Sequence, residues 1–225
     1  MSISFIGLVC HDHSIRYKYL KTLFSEIKSD NDELILVNRV SDYRLLENIE
    51  PSSDRWFKSI DLLNVDDDFK SQMAGISRIN NDFICILNPY GYYTKDGISK
   101  LLNAVSKGDY SAAIFNSCIR INPQNGHYYR MMSRANVSMG SMIFSKKYLD
   151  GFINTTGVLT TSLYSNISAT GQMCLITNAY DYMEFLEYDS DDISKSVTDI
   201  SIKPEPKSKK PVQKALAYLR HSIIN

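Results

Sequence analysis

The run Asp82-Phe-Ile-Cys-Ile-Leu-Asn88 constrains the fold most: five apolar residues in a row, with no polar residue to face water. A short run of this kind reads as a strand buried on both faces, the condition of an interior strand in a sheet covered by helices. Ser2–Val9 is a second run of strand length, and Glu33–Val37 a third. Between these two lies SIRYKYLKTLFSEIKS, where Ile15, Tyr19, Thr22/Leu23 and Glu26/Ile27 mark a helical stripe. Strand, helix, strand in this order implies a parallel pair joined by a right-handed crossover.

Further along, WFKSIDLL offers a short strand. The spacing of Phe69, Met73, Ile76 and Ile79 predicts a helix over 67–80, with Asp66, Asp67 and Asp68 at its start, where the helix dipole favours anions. KDGISKLLNAVSKG reads as a helix ending at Gly108, and YSAAIFNSCIRI as one strand. Residues 122–138 look like an excursion turning at Asn125-Gly126. GSMIFSKKYLDGF offers a strand and a short helix, and LTTSLYSNISATG a weak helix; QMCLIT and DYMEFLEY are late strands. Residues 189–211, polar and holding three prolines, read as a linker. Val212, Leu216, Leu219 and Ile223 then share one face of a final helix. The expected division is therefore a domain over 1–188, a linker over 189–211 and an amphipathic helix over 212–225.

Lys and Arg number 25 and Asp and Glu 25, a balance that argues against a domain built wholly around nucleic acid. Six of those cations and one Glu lie in residues 201–225, a local charge of +5. That tail has three readings: a helix docked on its own or a sister domain, an anchor for an anionic membrane, or an arm gripping nucleic-acid phosphates. The four cysteines lack the CxxC spacing of a zinc site and read as buried thiols. With neither a membrane-length apolar stretch nor a signal-peptide pattern, the chain reads as soluble and cytoplasmic.

The ordered series resembles glycosyltransferase family two, inverting enzymes of the GT-A fold. ISFIGLVCHDHSIRYKYLKTLFSEI is similar to that family's first strand, polar loop and helix, and LILVNRVSD to its second strand and Ser-Asp turn. AGISRINNDFICILNPYGYYTKDGISKLLNAV is the fullest likeness, through Gly75, Ile76, Asp82, Phe83, Leu87, Asn88 and Pro89. The resemblance implies an α/β fold with a mostly parallel sheet between helices, and transfer of a sugar from a nucleoside diphosphate donor. The acceptor expected is a glycan, a protein or a modified base in DNA. The nucleotide sugar would lie against Cys10, His11, Asn38, Asp42, Asn88 and Tyr90.

Departures fall at the chemical positions. Tyr90 stands where the resemblance places the metal-binding aspartate, Leu159-Thr160 near the place of the base pair, and Met73 at a helix asparagine. A phenol is a poor ligand for Mg²⁺ or Mn²⁺. Arg130 and Arg134 offer the diphosphate an alternative clamp, and Asp189 and Asp191 an alternative metal site, against the plainer readings of an exposed basic loop and a solvated acidic edge running from Asp181 to Asp192. His11 and His13 follow the first strand as loop candidates; Tyr90, Tyr92 and Tyr93 are either a stacking lip or ordinary packing. Two functions are thus expected: a divergent glycosyltransferase, or a non-catalytic relative that binds a sugar, a nucleotide or a partner protein; with either, a homo-oligomer stays open.

Overall fold

A computed structural model describes residues 1–9, 14–38, 56–62, 68–88, 90–122, 127–132, 142–150, 173–185 and 209–224. Strands β1 (Ile3–Val9), β2 (Glu33–Asn38), β3 (Phe57–Asp61) and β4 (Phe83–Leu87) form half of a seven-stranded sheet. β6 (Ala112–Phe115), β9 (Met142–Ser145) and β10 (Met173–Ile176) complete it in the order β10-β6-β9-β4-β1-β2-β3. Only β9 runs antiparallel to its neighbours. The expected parallel pairing of the three apolar runs is therefore realised, with β1 between β4 and β2.

Strand alternation divides the core. Phe5, Leu34, Leu36, Cys85 and Leu87 point to one face, where helix α1 (Ser14–Ile27) packs with Leu20, Leu23, Phe24 and Ile27. Helix α3 (Lys95–Ser106) joins the same cluster through Ile98, Leu101 and Val105. Ile6, Ile35, Val37 and Ile84 point to the other face, against Ile76 and Ile79 at and after helix α2 (Asp68–Ile76). α2 can lie this close because of Gly75, where an added Cβ would sit 2.7 Å from Ile6 and 3.1 Å from Val37.

Several boundaries differ from expectation. The buried stripe of α1 includes Leu20 and Phe24, whereas Thr22 and Glu26 are exposed. α2 ends at Ile76 and not Asn80, because Arg78 bonds back to Gly75 in a tightened turn and the Asn80 amide donates to Glu33 instead, at 2.6 Å. The stretch 110–121 is two strands, β6 and β7 (Ser117–Ile121), which belong to different sheets; the chain changes sheet at Asn116, whose amide donates to the Ile176 carbonyl at 2.8 Å. Within the excursion lies β8 (Tyr128–Met132), which pairs with β7 as a hairpin. The turn at Asn125-Gly126 and the weak helix before Gly171 lie outside the described residues.

The second sheet has the order β5-β11-β7-β8, with β5 (Gly91–Tyr93) and β11 (Tyr182–Phe185). β4, β6 and β10 are each followed within a few residues by one of its strands. Helix α4 (Lys209–Ile224) begins three residues before the expected 212, with Pro211 in its first turn, where a missing amide proton costs nothing. Its Val212, Ala215 and Tyr218 are buried against α1 and Tyr92. Of the three readings of the tail, docking on its own domain is the one seen. Cys85 and Cys118 are buried thiols and Cys174 is half-buried, in line with the apolar runs that hold them. No helix among the described residues is long and apolar enough to cross a membrane.

Candidate functional site

Parallel strands end together, and open α/β sheets bind ligands along their carboxyl edge. Register fixes that edge here: Val9 lies beside Asn38, Asn38 beside Asp61, and Gly7 beside Leu87. The ends of β1, β2 and β4 are therefore contiguous. Asn38 is 5% exposed at the end of β2, and its carbonyl accepts from Leu62 at 2.8 Å.

At the end of β4 the chain turns sharply. The Gly91 amide donates to the Asn88 carbonyl at 2.9 Å, closing a four-residue turn, and Asn88 Oδ1 accepts from the Tyr90 amide at 2.9 Å. The Tyr90 carbonyl accepts from Phe185 at 2.7 Å. Both backbone groups of Tyr90 are thus held, one by its own loop and one by β11. Gly91 is required by the crowding behind it: a Cβ would meet the Tyr182 ring at 2.9 Å and the Tyr93 ring at 3.0 Å.

A part-buried polar network anchors the turn. Asn88 Nδ2 donates to the Tyr182 hydroxyl at 2.9 Å, Tyr182 donates to Glu184 at 2.9 Å, and Arg120 Nε donates to Glu184 at 3.1 Å. The Asn88 amide donates to the Tyr93 hydroxyl at 3.0 Å. Burial holds the Tyr93 and Tyr182 phenols well above the ordinary tyrosine range, so both stay neutral. Tyr182 and Glu184 share one face of β11, as residues two apart in a strand must.

The sequence candidates distribute unevenly over this geometry. Asn38, Asn88 and Tyr90 come to one edge. Cys10, His11, His13, Asp42, Arg134, Asp189 and Asp191 lie outside the described residues. Arg130 is exposed on β8, at the far edge of the second sheet from β5, with Nη2 donating to the Thr177 carbonyl at 3.4 Å. Tyr92 and Tyr93 are not a stacking lip: they are 2% and 1% exposed, packed on Tyr218 and Tyr182. The acidic run is not all a solvated edge either. Asp181 is 4% exposed and takes Lys100 at 2.8 Å and Asn178 at 3.0 Å, while Glu184 is paired with Arg120.

Arg120 and Tyr182 escaped the sequence reading, and Glu184 entered it only as part of the acidic edge. The only local signal was parity, which places Tyr182 and Glu184 side by side; nothing local pairs them with Asn88. As a seat for a divalent cation the β4 turn is unsuitable, since Asn88 offers an amide already bonded to Tyr90 and Tyr182, and Tyr90 a phenol. Among the described residues no group of three or more His, Cys, Asp or Glu could hold a metal ion.

The sheet order and the helices on both faces define an α/β protein of the GT-A type. The fold is similar to that of S. aureus TarS 1-349 in complex with UDP-GlcNAc, with a TM-score of 0.63 and 11% identity over 100% of this chain and 67% of that one. TarS 1-349 alone gives 0.58 and 11% over 82% of this chain, which spans 60% of that structure. The 4-diphosphocytidyl-2C-methyl-D-erythritol synthase from Anaerococcus prevotii gives 0.54 and 16%, over 97% and 96%. No protein-family model matches the sequence, and no curated protein matches it.

Proposed function

We propose that the chain binds a nucleoside diphosphate sugar along the carboxyl edge of β1, β2 and β4 and transfers the sugar to an acceptor: a glycan, a protein or a modified base in DNA. The observation that carries this is the contiguity of that edge, Val9 beside Asn38 and Gly7 beside Leu87, in a fold shared with a structure in complex with UDP-GlcNAc. In this reading Asn38 and Asn88 stand at the nucleotide's polar groups and the rigid turn presents Tyr90 to the donor. Cys10, His11 and Asp42, which follow β1 and β2 in sequence, would flank the donor, and Arg134 would bring charge to the diphosphate; Arg130 stands on β8, away from that edge. Asp189 and Asp191 are the carboxylates that a Mg²⁺ or Mn²⁺ would use.

Tyr90 favours a second reading, a binding module without turnover, because a phenol at the β4 turn brings no anionic ligand to a metal-assisted leaving group. Thermal unfolding of the full chain with UDP-GlcNAc, UDP and other nucleotide sugars, with and without Mn²⁺, separates the two. Stabilisation with hydrolysis or transfer supports the enzyme. Stabilisation without turnover supports the module. No stabilisation by any nucleotide overturns both.

A further inference from the structure

The end of α1, β5, and the starts of α3 and α4 border a half-open pocket of about 370 Å³ that the nucleotide reading leaves unused. Lys95, Lys210 and Lys214 line it together with Glu26, Tyr92 and Pro211. Its volume lies in the range of small-ligand sites. Lys95 Nζ donates to the Lys28 carbonyl at 3.2 Å, which fixes its ammonium at the rim, and Lys214 lies 4.0 Å from Glu26 and hydrogen-bonds the Tyr92 side chain. Three ammonium groups therefore face one carboxylate.

Helix stability does not explain this charge. The first turn of α4 holds no acidic residue and carries Lys209 and Lys210, where the helix dipole disfavours cations. Local rules of this kind are broken at functional sites, and among the described residues only Glu26 lies close enough to Lys214 to offset the charge. The floor is apolar, so the pocket joins a cationic rim to the rings of Tyr92 and Pro211.

From this pocket we infer a second binding site, for a ligand that carries a phosphate or diphosphate group on a small apolar or ring-bearing body. Lys210 and Lys214 hold the anion from α4, and Lys95 closes it from α3. Lysine supplies charge without the fixed fork of arginine, which suits a phosphate that arrives in more than one orientation. Because α4 forms one wall, the ligand also ties the C-terminal helix to the body of the domain. The site is independent of the nucleotide-sugar reading.

The test uses the full chain, with inorganic pyrophosphate followed by calorimetry and by the amide resonances of Lys210 and residues 212–214. A parallel arm measures sedimentation with phosphatidylcholine vesicles that contain phosphatidylinositol phosphate. Binding by wild type, weakened about tenfold or more in Lys210→Gln/Lys214→Gln and unchanged in Lys147→Gln, is expected. These side chains are exposed, so the double variant should keep its melting temperature, and UDP-GlcNAc affinity should not move. Response in the pyrophosphate arm identifies a soluble ligand, and response in the vesicle arm alone a lipid headgroup. No binding in either arm overturns the proposal, as does equal weakening in Lys147→Gln, which would show bulk screening only.

Discussion

The side-chain amide of Asn88 donates to the hydroxyl of Tyr182, a residue 94 positions later, at 2.9 Å. This bond ties the turn after the central strand to the second sheet, and through Glu184 to Arg120 on β7. The turn at the candidate site is thereby held by a part-buried network that reaches the second sheet.

Replacing Asn88 by Leu removes the bond to Tyr182 and the acceptor for the Tyr90 amide, both at part-buried positions. Each buried group left unpaired costs about 1–3 kcal/mol. Urea unfolding should show a loss of about 2–4 kcal/mol. If the carboxyl edge binds UDP-GlcNAc, its affinity should fall in the same variant.

Two glycines, one in α3 and one just after it, should both resist alanine, but to different degrees and for different reasons. An alanine Cβ at Gly97 would lie 2.8 Å from both the Cβ and the carbonyl oxygen of Asp181, and backbone cannot swing away. Gly97→Ala should cost about 1–3 kcal/mol or more. Gly108 follows the helix at φ +82 with open space around it, so Gly108→Ala meets only the left-handed backbone penalty, about 1 kcal/mol. Paired thermal melts check the contrast.

Acid stability should depend on Glu33. Burial pushes its carboxyl up, but hydrogen bonds from Lys58, Ser4 and Asn80 outweigh that and leave it below the ordinary value. A lowered folded value stabilises the protein above the unfolded pKa, and that contribution fades as pH falls through the folded value. Neighbouring Asp32 is raised, chiefly by burial, and opposes this: its contribution grows more favourable as pH falls. Glu33→Gln should lower stability at pH 7 and flatten the loss between about pH 5 and 3, measured as urea midpoints against pH.

The C-terminal helix should be part of the folding unit. Tyr218 is buried and its ring meets Tyr92 edge-on at 5.5 Å. Tyr218→Ala should cost about 3 kcal/mol, by analogy with other large aromatic truncations. Deleting 209–225 should destabilise more, because Tyr92 and α1 lose their cover. Tests of the tail's charge therefore need lysine substitutions and not truncation.

The apolar runs Phe83–Leu87 and Glu33–Val37, the stripe through Leu23 and Ile27, and the helix that begins at Lys95 follow from period and end signals alone, because each depends on residues a few positions apart. Those elements were enough to give a parallel sheet and to bring Asn38 and Asn88 to one edge. Tertiary structure alone decided that 110–121 divides between two sheets at Asn116, that Tyr92 and Tyr93 are core and not lip, and that Asp181 is buried against Lys100 and Glu184 paired with Arg120. It also placed Lys210 and Lys214 beside Lys95. Those outcomes rest on contacts between segments tens of residues apart, and a carboxylate or a phenol looks the same in sequence whether its partner is water or a distant side chain.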